Sequence, residues 1–151
     1  MSEELYNRQI LEAARERPAA ETLADADVRV DKDNPLCGDR VRLELRLEDE
    51  RIAQLAHRTR GCLLTRAASA MVARFAVGYG LEEVRLLRRA VERILAGEDP
   101  DPRWPELAMF RPVAGIRSRH DCVRLPFVAL AEALEGAAAR TQDCGSASAE
   151  D

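Results

Sequence analysis

The chain is short of aromatic residues, of lysine and of long apolar runs. Aromatic residues make up only 4% of its 151 residues while hydrophobic residues make up 46%, so the core must be built from Leu, Val, Ile and Ala. No apolar stretch approaches the roughly 18 residues of a membrane-spanning helix, and the opening MSEELYNRQI lacks the apolar segment of a secretion signal. We therefore expect a cytoplasmic protein without a membrane partner, in a single domain.

The charge balance and the cysteine spacing exclude two further classes. A net charge of -4, with Lys32 as the only lysine, argues against a nucleic-acid binder that works through a basic face. Four cysteines without a secretion signal favour metal binding or thiol chemistry over disulfides. No Cys-x2-Cys pair occurs, which excludes a compact zinc ribbon. A metal site would have to be assembled by the fold.

Strict alternation of apolar and charged residues predicts β-strands between residues 26 and 60. Val28 and Val30 alternate with charged neighbours, residues 41–47 alternate without a break, and residues 51–59 are again extended in character. Residues 48–50 supply a turn. The segment predicts a three-stranded antiparallel sheet with one solvent-exposed face.

Helical periodicity dominates the rest of the chain. Helices are predicted at residues 3–16, after Gly61 to about Ala76, from Leu81 to Leu95, and from about Asp121 to Glu135, with a start nearer Leu125 as the alternative because of Pro126. Residues 98–118 carry four prolines and predict an irregular connection with a short helical turn near 105–110. The prediction is an α+β fold in which a three-stranded antiparallel sheet packs against several helices, with one domain over 1–136 and a disordered tail over 137–151.

Three cysteines lie at predicted element junctions. Cys37 sits in the turn NPLCGD between two strands, where Gly38 allows the thiol and the Asp39 carboxylate to converge on one point. Cys62 opens the helix after Gly61, and Cys122 lies at or near the start of the last helix with arginines upstream, environments that favour a thiolate.

A small buried cysteine would explain Cys37 or Cys62 taken alone, but the joint pattern of three cysteines at element junctions indicates one site. Cys37, Cys62 and Cys122 with Asp39 supply three sulfurs and one oxygen. That donor set suits either a four-coordinate zinc ion or iron in a thiolate-bound iron-sulfur cluster, and the residues alone do not separate the two.

The motifs NPLCGD, GCLLTRAASAM and RHDC followed by LPFVALAEAL, after an opening LYNRQIL, resemble the NifU/IscU/SufU-type iron-sulfur cluster assembly proteins over residues 3–136. The long proline-bearing segment between Cys62 and Cys122, with Asp121 before the last cysteine, is most similar to the SufU branch. The resemblance implies a SufU/IscU-like fold and a zinc site on Cys37, Asp39, Cys62 and Cys122.

The resemblance also implies a function. Cys37 would be a zinc-bound sulfur acceptor that takes persulfide sulfur from a SufS-type cysteine desulfurase, alongside other iron-sulfur assembly proteins, and Arg119 would stabilise the site or the partner contact. The alternatives are a scaffold that assembles a [2Fe-2S] cluster on the same cysteines and a purely structural zinc-binding interaction module. Whether the chain is an enzyme, of a sulfurtransferase-like kind, stays open at this point.

Three further residues and one short segment carry secondary expectations. His57 is expected to be hydrogen-bonded or at the surface, His120 to contact either metal or a partner, and Cys144 to be a free thiol in the tail. Leu63 to Arg66 replace a serine-rich run of the relatives, which predicts that the site's sulfurs lack nearby hydroxyl groups.

Overall fold

The structure is a computed structural model that describes residues 3–150, and the side chains of residue 4 and of residues 6–140. The elements in chain order are α1 (Glu3–Arg15), β1 (Val28–Asn34), β2 (Asp39–Glu48), β3 (Arg51–Arg60), α2 (Leu63–Phe75), α3 (Leu81–Leu95), 3₁₀-helices at Pro105–Gly115 and Arg117–Arg119, and α4 (His120–Glu150). The predicted α+β class with a three-stranded antiparallel sheet is confirmed.

The sheet has the order β1-β2-β3, with both pairs antiparallel. Val41, Leu43 and Leu45 of β2 are fully buried, as their alternation with charged residues predicts. A two-residue turn joins β2 to β3, and Asp49 and Glu50 both have positive φ, 52° and 65°. Such a turn matches the twist of the flanking strands and so keeps the hairpin in register.

The helices cover one face of the sheet. α4 packs on β1 and β2, α2 packs on β3 and against α4, and α1 and α3 pack on the outside of α2 and α4 respectively. The proline-rich connection is more regular than predicted, because its 3₁₀-helix runs over eleven residues and buries Leu107 and Phe110 in the core. None of the described helices combines the length and the apolar character needed to span a bilayer.

The outer face of the sheet is not uniformly exposed to solvent, contrary to the strand pattern. Glu44, in the middle of β2, is fully buried. The segment between α1 and β1 crosses it: the Leu23 amide donates to Glu44 Oε1 at 3.3 Å, and the His57 amide donates to the Ala20 carbonyl at 3.2 Å. Alternation predicts which face a residue occupies, but not which chain segment later covers that face.

α4 begins at His120, so Cys122 lies in its first turn, and the alternative start near Leu125 is wrong. Pro126 is accommodated inside the helix, where it removes the amide that would otherwise bond the Cys122 carbonyl. The helical backbone continues to Glu150, through the segment predicted as a tail. The domain boundary at residue 136 and the disorder of that tail stay predictions.

Candidate metal centre

The loop between β1 and β2 holds Cys37 and Asp39 on either side of a glycine. The Asn34 carbonyl accepts the amides of Cys37 and Gly38 at 3.3 and 2.9 Å, and the Asn34 side chain accepts the Leu36 amide at 3.1 Å. Gly38 has a φ of 73°, which residues with a Cβ rarely adopt. This turn reverses the chain so that the Cys37 thiol and the Asp39 carboxylate point to the same place.

Asp39 is only 2% exposed, and its carboxylate is the centre of the hydrogen-bond network. Oδ1 accepts the backbone amide of Cys62 at 3.1 Å. Oδ2 accepts the Thr65 hydroxyl at 2.6 Å and the Cys37 thiol at 3.0 Å. Two parts of the chain, the β1–β2 loop and the start of α2, therefore fix one carboxylate.

Gly61 makes this arrangement sterically possible. A Cβ added at position 61 would lie 2.4 Å from Asp39 Oδ1 and 2.8 Å from its Cγ. Those separations are well below van der Waals contact, so any larger residue would displace the carboxylate. The glycine allows β3 to end directly against Asp39 before Cys62 opens α2.

The three sulfurs surround this carboxylate but are not equivalent. The Sγ atoms of Cys37 and Cys122 are 3.9 Å apart, and together with Asp39 they form a group whose ligand atoms all lie within 4.8 Å of one another. Cys62 lies beside that group, with its Sγ 3.8 Å from Asp39 Oδ2. Cys37 is exposed, Cys62 is half-buried and Cys122 is buried. Their assignment as metal ligands stays a prediction.

The charges and donor atoms of the site are compatible with a bound cation. Burial opposes ionisation of Asp39, but hydrogen bonds from the Cys37 thiol, the Thr65 hydroxyl and the Cys62 amide hold the pKa of Asp39 below its usual value. Burial, reinforced by the neighbouring Cys62, raises the pKa of the Cys122 thiol. Among the described side chains no arginine or lysine pairs with Asp39. A soft divalent metal would neutralise the carboxylate and displace the thiol protons, so the donor set fits zinc or iron.

The other candidate residues lie outside this network. The His120 Nε2 atom is 3.1 and 3.0 Å from the carbonyls of Val113 and Ala114, so that ring is engaged by the preceding 3₁₀-helix. His57 is buried and hydrogen-bonded, because its Nδ1 atom is 3.2 Å from the Thr59 hydroxyl. Arg119 is exposed on the short 3₁₀-helix before α4, where its side chain has no described partner. Cys144 lies outside the described side chains.

Thr65 is a site residue that the sequence pattern did not indicate. Its hydroxyl bonds Asp39 and lies 3.5 Å from Cys62 Sγ, so the prediction of a site without hydroxyl groups is wrong. The signal was its position three residues after Cys62, on the same face of a predicted helix.

A family model supplies the decisive comparison. The model described as the NifU-like N terminal domain matches residues 5–112, which include Cys37, Asp39 and Cys62. The chain belongs to the NifU-like N-terminal domain family.

Named relatives of this NifU-like chain include both branches of the predicted resemblance. It is 26% identical over 132 residues to the iron-sulfur cluster assembly scaffold protein IscU of Thermotoga maritima, covering 87% of this chain and 93% of that protein. It is 22% identical over 125 residues to the zinc-dependent sulfurtransferase SufU of Bacillus subtilis, covering 82% and 85%. The predicted preference for the SufU branch therefore stays a prediction.

The fold comparison agrees with the family assignment. A NifU-like protein (N-terminal) from Brucella abortus superposes with a TM-score of 0.81 at 30% identity, covering 88% of this chain and 94% of that one. The predicted resemblance to the NifU/IscU/SufU type is thus confirmed at the level of family and fold. Cys122, by contrast, lies outside the residues that the family model matches.

Proposed function

We propose that this NifU-like protein takes part in iron-sulfur cluster assembly as a zinc-bound sulfur acceptor, with Cys37 as the accepting residue. The observation that carries the proposal is the buried Asp39 carboxylate beside three cysteine sulfurs, with no arginine or lysine among the described side chains to pair with it. The names of two relatives, a cluster assembly scaffold and a zinc-dependent sulfurtransferase, point to the same pair of roles.

The proposed zinc ligands are Cys37, Asp39, Cys62 and Cys122. Zinc bound there would keep the Cys37 sulfur deprotonated but unreactive until that sulfur is released. Cys37 is suited to leave because it is exposed on a loop, whereas Asp39 and Cys122 are buried. The buried residues and Cys62 at the start of α2 would retain the metal. The predicted cytoplasmic location would keep these thiols reduced.

The sulfur transfer is a thiol exchange without net oxidation or reduction. The Cys37 thiolate attacks the outer sulfur of a persulfide on the partner's cysteine. A new S–S bond forms on Cys37, the partner's S–S bond breaks, and the partner's cysteine leaves as a thiolate while the proton stays on the transferred sulfur. The rate of such an attack depends on the thiolate character and the accessibility of the attacking cysteine. Cys37 is the most accessible of the three site cysteines.

The partner that would present this persulfide is a SufS-type cysteine desulfurase. Two leucines stand next to the site cysteines and are exposed, Leu36 at 90% and Leu63 at 43%. Apolar side chains beside a reactive thiol would let a partner dock and exclude water from the transfer. Arg119, exposed just before α4, would add a charged contact to the same partner.

The test is to mix the full-length protein with a SufS-type desulfurase and cysteine. We expect faster alanine release and a persulfide on the Cys37 peptide by mass spectrometry. Cys37→Ser should abolish both effects, whereas the matched variant Cys144→Ser, at a cysteine outside the site, should abolish neither. No stimulation by the wild type, or full activity in Cys37→Ser, would overturn the proposal and favour a structural zinc module.

A second candidate function is a scaffold on which a [2Fe-2S] cluster is the cargo. The relative named IscU favours it, because the same three sulfurs and one oxygen suit iron as well as zinc. Anaerobic reconstitution of zinc-stripped protein with iron and sulfide should then give a visible chromophore that Cys122→Ser loses. A colourless wild type would exclude this role.

A further inference from the structure

Thr65 contacts two of the four proposed ligands from a fully buried position. It lies in the first turn of α2, and its side chain is inaccessible to solvent. Its hydroxyl is 2.6 Å from Asp39 Oδ2 and 3.5 Å from Cys62 Sγ. No other hydroxyl group among the described residues bonds the Asp39 carboxylate.

The two oxygens of Asp39 are held by different groups. Oδ1 is held by the Cys62 amide, whereas Oδ2 is the oxygen that faces the sulfurs of Cys37 and Cys62, at 3.0 and 3.8 Å. The Thr65 hydroxyl is a fixed donor on Oδ2, because its helix is packed in the core, but the Cys37 thiol is on an exposed loop. Once Cys37 moves away, the Thr65 hydroxyl at 2.6 Å is a much closer donor to Oδ2 than the Cys62 thiol at 3.8 Å.

We propose that Thr65 is a positioning residue that aims Asp39 Oδ2 at the metal and keeps Asp39 coordinated while Cys37 is released. The inference rests on the zinc-binding part of the proposed function and adds to it a division of the site. Cys37 is the movable ligand, and the pair Asp39–Thr65 is the fixed one. Removing a residue that hydrogen-bonds to a metal ligand typically weakens metal affinity about 10–100-fold.

The chain offers a matched control one helical turn away. Ser69 lies four residues further along α2, is equally buried, and takes part in a hydrogen bond with the Thr59 hydroxyl at 2.7 Å, away from the carboxylate. Removing its hydroxyl would leave a comparable buried defect in α2 without touching Asp39. Ser69→Ala therefore separates a general loosening of the helix from the loss of ligand positioning.

The experiment is zinc affinity of the full-length protein, measured by competition with a chromophoric chelator. Thr65→Val, which keeps the shape but not the hydroxyl, should weaken zinc binding about 10–100-fold. Thr65→Ser should restore wild-type affinity, and Ser69→Ala should leave it unchanged. Circular dichroism of the metal-free variants checks that each is folded, and Thr65→Ala serves as a second deletion if Thr65→Val is not.

The division of the site gives a second readout that does not depend on sulfur transfer. Cys37→Ala should still retain zinc, but Cys37→Ala combined with Thr65→Val should lose it. Wild-type affinity in Thr65→Val, or equal weakening in Ser69→Ala, would overturn this inference while leaving the zinc site intact. A wild type that binds no zinc would overturn both this inference and the proposed function.

Discussion

Polar groups are buried at one end of the sheet and exposed at the other. At the site end, formed by the β1–β2 loop, Gly61 and the starts of α2 and α4, Asp39 and Thr65 are buried and share hydrogen bonds. At the turn end, formed by Asp49, Glu50 and the loop after α2, charged groups make exposed ion pairs such as Arg51 with Glu83 at 2.7 Å. Exposed pairs of this kind contribute about 0–1 kcal/mol.

Because of this difference, substitutions at the two ends should change different measured quantities. Changes at the site end should alter metal binding or partner docking more than the free energy of unfolding, because that end carries the proposed metal ligands. Changes at the turn end should alter the free energy of unfolding alone. Matched substitutions at the two ends test this difference.

The largest expected effect comes from a pair of glycines. Gly61→Ala would press a methyl group against Asp39 and should weaken zinc binding about 10–100-fold, because it displaces a proposed ligand. Gly78→Ala, at the turn end, has open space around it but a φ of 93°, so it should cost about 1–2 kcal/mol of unfolding free energy with unchanged zinc affinity. Chelator competition measures the zinc affinity, and urea unfolding measures the free energy of unfolding. Equal effects of both variants in both assays would remove the contrast.

The next effect concerns two exposed apolar residues. Leu36 is 90% exposed beside Cys37, and Val77 is 53% exposed at the turn end. Leu36→Ser should raise the half-saturating concentration for desulfurase stimulation about fivefold, as expected from the loss of about 1 kcal/mol at an interface. Zinc affinity should not change, and Val77→Ser should change neither quantity. If Val77→Ser weakened desulfurase stimulation more than Leu36→Ser, the docking surface would lie at the turn end instead.

A pH effect should come from His57, which lies between the two ends. Burial lowers the pKa of the His57 imidazole below its usual value, so near pH 6 the unfolded chain binds more protons than the folded protein. The free energy of unfolding should therefore fall as the pH drops below about 6.5, the ordinary histidine value. Urea unfolding of metal-free protein on either side of that pH measures the slope. His57→Asn should reduce it, and an unchanged slope would contradict this account.

The smallest expected effect lies in the turn itself. Glu50 has a φ of 65°, a conformation that glycine adopts without the cost of a Cβ. Glu50→Gly should raise the free energy of unfolding by about 0.5–1 kcal/mol, because an Asp-Gly pair is favoured in this turn type. Zinc affinity should stay at the wild-type value, and destabilisation would show that the Glu50 side chain matters more than its backbone.

Local patterns were sufficient to predict the elements and part of the site. Strict alternation located β2, helical spacing located α2 and α3, and the glycine between Cys37 and Asp39 indicated that thiol and carboxylate would converge. Each of these depends on residues close together in the chain. The positions of the three cysteines at element junctions added Cys62 and Cys122 to the same site, and in the structure Cys62 lies near Asp39 and Cys122 near Cys37.

Contacts between distant segments could not be predicted in the same way. The burial of Glu44 depends on a linker that crosses the sheet, and the close approach of Gly61 to Asp39 depends on how β3 ends beside β2. Thr65 became a site residue only because α2 packs against that same carboxylate. His120 faces carbonyls of a 3₁₀-helix whose length the prolines did not reveal.

The central claim is a zinc site on Cys37, Asp39, Cys62 and Cys122, and metal analysis of the full-length protein as purified tests it most directly. The account predicts stoichiometric zinc in the wild type and its loss in Cys122→Ser, which removes the most buried of the three sulfurs. Zinc retained in Cys122→Ser, or a wild type that carries iron with a visible chromophore in place of zinc, would contradict it.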